Sequence, residues 1–189
     1  MKYTYTTVRS NRRTVALQIK KGQLIVRAPL RMSDAQIELF VSQHEQWIER
    51  NMLAAAKRQE QYADVEPLTP SELRELAEAA VRVIPQRVSY YASLMGVSYG
   101  RITIRSQRSR WGSCSSKGNL NFNCLLMLAP PEVLDSVIVH ELCHLKQMNH
   151  SQKFYDEVLK VYPQYHECNA WLKQHGEALM RRIKTSTSE

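Results

Sequence analysis

The sequence predicts an α+β fold, and three observations carry that prediction. Short segments with period-two alternation, TVALQI and LIVRAP near the start and RITIR and NLNFN in the middle, have the pattern of strands. Longer segments between and after them repeat apolar residues at helical spacing. Breaks rich in Pro, Gly and Asn separate the two kinds. Hydrophobic residues make up 43% of the 189 positions and charged residues 23%, a globular balance that excludes a disordered or fibrous chain. The length suits one domain, 1–189, divided into N-terminal strands and a helix (1–66), a main core (67–184) and a frayed tail (185–189).

The elements follow in order. Residues 3 to 28 read as strands, with Thr14 to Ala28 a hairpin turning at Gly22 and ended by Pro29. Ser33 N-caps a helix that continues through "AAAKRQ" and places Ile37, Phe40, Val41, His44, Trp47 and Ile48 on one face. "YADVEPLTP" is a linker. Thr69, Pro70 and Glu72 then form a helix start, and that helix runs to about Leu94, with Pro85 as a possible kink. "RITIR" is a strand, "RSRWGSCSSKGN" a loop or irregular hairpin, and "NLNFN" a strand with Leu120 and Phe122 on one face and Asn119, Asn121 and Asn123 on the other. "APPE" opens a strongly apolar, hence buried, helix expected to end near Gln147 to Asn149, with Glu132 and Asp135 in its first turn. Two more helices follow, the first stopped by Pro163.

That buried helix carries the chemistry. "VIVHELCHLKQMNH", residues 137–150, holds three of the six histidines. His140 and His144 are one helical turn apart, so both imidazoles can grip one cation. Glu141 projects about 100° round the helix from His140, poorly placed as a ligand but well placed to touch a water held on the metal. This is the HExxH pattern, in which a zinc ion with an open position acidifies a water and the glutamate takes its proton as it attacks a carbonyl. The bland alternative is a chance pattern with satisfied core histidines. Burying three such groups without partners would cost roughly 1–3 kcal/mol each, which a metal relieves. The third ligand is open on spacing alone. His150 lies six residues past His144 and can swing back if Asn149 reverses the chain. A carboxylate, Glu157 or Glu167, competes with it.

"VIVHELCHLKQMNHSQKFY", preceded by "RSRWGSCSSKGNLNFN", resembles the YgjP-like metallopeptidase family, relatives of the SprT and WLM zincins. "SNRRTVALQIKKGQLIVRAPLRMSDAQIELFVSQHEQWI" fits the same pattern, so the resemblance covers nearly the whole chain. It implies a zincin-like fold, Zn2+ held by His140, His144 and His150, Glu141 as catalytic base, and a peptide or protein substrate. Tyr155 is a small departure, standing where Trp often follows the Phe. By analogy with the SprT relatives, the alternative is a nucleic-acid-associated protein, either a protease acting on DNA–protein adducts or a binding module with a structural zinc.

Charge bears on that alternative. A net charge of +8 and a pI of 9.4 suit an acidic partner such as nucleic acid, and equally a soluble enzyme with a basic surface. Arg101, Arg105, Arg108, Arg110 and Lys117, with Trp111 among them, form the densest basic patch, readable as a single-strand binding surface or as a solvated strand face. Asn121 and Asn123 either line a cleft beside an edge strand that pairs with substrate, or face solvent. Trp111 walls the cleft or anchors the core. Tyr165 or His166 is a candidate oxyanion donor, Cys143 a small core residue, and His44 and His175 surface or interhelical histidines. The longest apolar run, Cys124 to Ala129, is too short to cross a bilayer, and the charged N-terminus has no hydrophobic segment behind it. Four cysteines without a CxxC pair complete the expectation of a reduced, cytoplasmic protein with no membrane partner.

Overall fold

The computed structural model describes residues 3–20 and 22–184, so the tail expected to fray (185–189) lies outside the described residues. The chain divides into two compact units, one through Asp64 and one from Val65.

In the first unit the alternating segments form β1 (Tyr5–Ser10), β2 (Ala16–Lys20) and β3 (Gln23–Pro29), in the order β1-β3-β2. The expected hairpin is β2 against β3, antiparallel, while β1 runs parallel to β3 on its other side. Leu24, Val26 and Ala28 share one face of β3 and are buried, as period-two alternation requires when one side of a sheet is covered. Ile37, Val41 and Ile48 complete that core from α1 (Asp34–Gln43) and α2 (Glu45–Gln61). Ser33 caps α1 in a reciprocal capping box with Gln36. Sequence spacing suggested a single helix here, but the chain steps off helical geometry at His44 (φ −115°, ψ 19°). Its backbone N–H reaches back to Val41 O, and its Nδ1 lies 2.7 Å from Phe40 O. These bonds satisfy orphan carbonyls and end the first helix without a glycine.

The second unit is built on α3 (Pro70–Met95), started by the Thr69–Glu72 capping box and closed by Gly96 in the left-handed conformation (φ 63°). Pro85 sits inside it. Three short strands, β4 (Ile102–Arg105), β5 (Gly112–Cys114) and β6 (Leu120–Asn123), make a sheet in the order β4-β6-β5. β4 is parallel and β5 antiparallel to β6. β6 is therefore the central strand, and the edge beside the HExxH helix belongs to β5, so the stretch read as a loop or an irregular hairpin is the hairpin. A 3-10 turn, Cys124–Leu128, leads to α4 (Pro131–Cys143), followed by α5 (Gln152–Val161) and α6 (Tyr165–Arg181). α4 packs against α3, α5, α6 and β5, and its residues from Val133 to Val139 are all buried. It ends at Cys143, a turn earlier than its apolar pattern suggests.

Candidate metal centre

Helix α4 delivers His140 in its last turn and His144 at its C-cap. His144 stays in the helical region (φ −64°, ψ −19°), so the two rings keep their one-turn relation although the helix stops between them. Lys146 and Gln147 N–H groups both bond Cys143 O, tightening the exit. The following turn returns His150, whose Nε2 lies 3.1 Å from His140 Nε2. One ligand atom from each of His140, His144 and His150 lies within 4.8 Å of the other two. Glu157 is turned away, bonded to Lys146 and Lys160, and neither it nor Glu167 joins the cluster.

The far nitrogens are tied down. His140 Nδ1 is 2.9 Å from the hydroxyl of buried Tyr165, and His144 Nδ1 is 3.1 Å from Gln147 O. Both partners fix ring orientations, and the Gln147 carbonyl, which can only accept, also keeps the proton on His144 Nδ1 and leaves its Nε2 as the free lone pair. Phe154, fully buried, floors the site, its ring centroid 4.8, 4.6 and 4.9 Å from those of His140, His144 and His150. Burial, with repulsion from the other two rings, lowers the His140 pKa to about 3, and burial lowers that of His144 as well. Imidazoles converging over the apolar Phe154 floor suit a borderline divalent ion, so the donor set fits a metal.

Glu141 is only 5% exposed and turns toward β5 rather than into the triad. Gly112 makes that possible: a Cβ there would fall 2.6 Å from Glu141 Oε1 and 2.7 Å from Cγ. Burial pushes the carboxyl pKa up to about 8, opposed by the charge of Arg110 and a hydrogen bond from the Cys114 backbone. Two cavities, of 270 and 320 Å3, flank this carboxyl. Both are lined by Arg110, Gly112, His140 and Glu141, so a single cleft crosses the site.

Other singled-out residues fall on both sides of their readings. Tyr165 is engaged with a triad ring, and exposed His166 lies off the cleft lining. Asn123 is fully buried and structural: its amide donates to the carbonyls of Gln107 and Arg110 while its Oδ1 accepts from Leu125 N–H. Asn121 braces Arg105 and Ser113. Trp111 is half-buried and lines the cleft, and Cys143 is core. The cations of the basic patch are exposed, and Arg110 is the one that reaches the cleft. All four cysteines are free thiols. Among the described residues no helix is long and apolar enough to cross a membrane. Of the two readings of RSRWGSCSSKGN, the irregular hairpin is the one that forms, as β5 against β6, whereas the Phe154 floor and the Gly112 cradle were not read from the sequence. A glycine in a strand is a sign of close approach, and Gly112, which opens β5, is that signal in the sequence.

An HExxH helix backed by a small mixed sheet, in an α+β chain, defines a zincin-like class. The profile of the YgjP-like metallopeptidase domain matches residues 13–74 and 71–175, and the chain belongs to that family. A UTP pyrophosphatase of Escherichia coli (strain K12) is 32% identical over 71 residues, 35% of this chain, and the match spans 42% of that relative. Two solved structures align with about half of the chain. The metallopeptidase zymogen abylysin of Pyrococcus abyssi has a TM-score of 0.44 at 21% identity, over 49% of this chain and 94% of its own. Jannalysin, a metallopeptidase zymogen of Methanocaldococcus jannaschii, has a TM-score of 0.44 at 23% identity, over 48% and 94%.

Proposed function

We propose that this chain is a zinc-dependent metallopeptidase in which His140, His144 and His150 hold the ion and Glu141 is the catalytic base. The observation that carries the reading is the convergence of three imidazoles beside one buried carboxyl in a single cleft. A zinc ion in such a site acidifies a water and polarises the carbonyl to be attacked. The chain's own residues supply the rest. Tyr165 and Gln147 O hold the His140 and His144 rings with Nε2 facing inward. Glu141 takes a proton from the attacking water and passes it to the leaving amine, and burial keeps its proton affinity near that task. β5, paired on one side with β6, offers its other edge to an extended peptide.

Glu141→Gln should keep a full complement of zinc while peptide cleavage falls by about 10²–10⁴-fold. His150→Ala should lose most of its zinc. Cleavage that survives Glu141→Gln removes the base, and undiminished zinc in His150→Ala removes the third ligand.

A second reading has its own support. The UTP pyrophosphatase relative and the exposed Arg110 guanidinium at the cleft favour hydrolysis of a nucleoside triphosphate between its phosphates. Pyrophosphate release from UTP by the zinc-loaded protein, abolished in Arg110→Ala, tests it; no release excludes it. The nucleic-acid reading draws on the other exposed cations. It requires single-stranded DNA binding that weakens steeply with salt, and a flat salt dependence counts against it.

A further inference from the structure

The two arms of the cleft differ in chemistry. The 320 Å3 arm is lined by the histidines with Ser113, Cys114 and Met148. The 270 Å3 arm leads away from the triad between β5 and α6, where Trp111, Val137 and Leu172 make apolar walls. Its size is near the lower end of ligand cavities, about 300–1,000 Å3, so it accepts one group of a larger molecule.

The Trp111 wall is built in. A Cβ on Gly176 would lie 3.1 Å from Trp111 Cζ2 and 3.3 Å from Nε1, so the indole rests on the bare backbone of α6. A flat aromatic wall favours a flat ring. Asn169, about one helical turn before Leu172 on α6, lines the same arm, and its amide has no protein hydrogen-bond partner among the described residues. An amide offers both a donor and an acceptor. Arg110 stands where the two arms join.

We propose that this arm is a substrate subsite for a planar ring with a hydrogen-bonding edge, with Trp111 as its wall and Asn169 reading that edge. The inference rests on the hydrolase reading above, because it places the ring next to the bond that is cut. Two sources carry this chemistry: a tyrosine-like side chain of a peptide and the base of a nucleotide.

Ligand-observed NMR on the zinc-loaded full-length protein separates the outcomes without relying on turnover. The probes are N-acetyltyrosinamide and uridine, with N-acetylalaninamide and ribose as ringless controls. At least one ring probe should bind while the controls do not. Asn169→Leu should weaken that binding about tenfold, the effect of losing one or two hydrogen bonds. Leu172→Trp, which fills the arm, should abolish it. Both variants should keep one zinc per chain. Preference for the tyrosine probe identifies a peptide source, and preference for uridine identifies a nucleotide. Ring probes that bind no better than the controls, or as tightly to Asn169→Leu as to the parent, overturn the subsite. Asn169 is partly exposed on a helix, so its variant carries the test if Leu172→Trp does not fold. Ring binding without any hydrolysis would sink only the hydrolase reading; hydrolysis without ring binding would sink only the subsite.

Discussion

Tyr165 is a hydroxyl buried against His140 Nδ1 at 2.9 Å, so its contribution is to a ring's orientation. Tyr165→Phe keeps the packing and removes the hydroxyl. Zinc affinity, measured by chelator competition, should fall about 10–100-fold with the fold intact. Asp135 lies a turn and a half before His140 on the side of α4 that meets α3, and is 6% exposed. Arg87 and Tyr91 both donate to its Oδ2, at 2.8 and 3.0 Å, while Oδ1 is buried without a partner. Burial raises its pKa despite those donors. The folded state thus holds the proton more tightly than the unfolded chain, where the carboxyl titrates near 3.8. Its contribution to stability is complete below that value and is lost as pH rises through the raised one. Asp135→Asn should therefore gain stability relative to the parent between pH 3.5 and pH 7, read as urea midpoints; a constant difference across that range would contradict this. Sequence position alone suggested a helix-dipole role for Asp135, because its partners lie more than 40 residues away.

At the scale of elements, α4 and β5 are fitted to each other. The glutamate of the HExxH packs where β5 has no side chain, and the Cys114 backbone of that strand acts to lower its carboxyl pKa against the effect of burial. Gly112→Ala inserts a methyl 2.6 Å from Oε1 and 2.7 Å from Cγ, so the glutamate must leave its place. The expected result is about 1–3 kcal/mol of lost stability with cleavage strongly reduced and zinc retained. Loss of zinc instead would show that the methyl disturbs the histidines. The α4 pattern was legible in sequence as a buried helix with one polar turn. Its end was not, because the apolar pattern continues through Leu142 and Leu145 while the chain past His144 leaves the helix and brings His150 back. β5 was legible only as one of two alternatives, a loop or an irregular hairpin, for a similar reason: three residues, Gly-Ser-Cys, carry no strand propensity, and their pairing with β6 is decided by the sheet.

At the scale of the molecule, each unit has its own core. Leu24, Val26, Ala28, Ile37, Val41 and Ile48 form one, and the core around α3, α4 and β6 forms the other. Every residue of the proposed metal site and cleft belongs to the second. A fragment of residues 65–189 should therefore fold and bind one zinc, detectable by circular dichroism and metal analysis. A fragment that folds only with residues 1–64 present would show that the division of cores is not a division of stability.

The sequence by itself determined the periodic and local features: the hairpin, the helix starts at Ser33 and Thr69, the apolar α4 and the one-turn spacing of His140 and His144. These depend on neighbours within a few residues, which a single chain displays openly. Tertiary structure alone decided which strand is central, where α4 ends, that His150 rather than a later glutamate faces His140, and that Phe154 and Tyr165 support the rings. Those choices depend on what distant segments bury together, and packing energy has no local spelling.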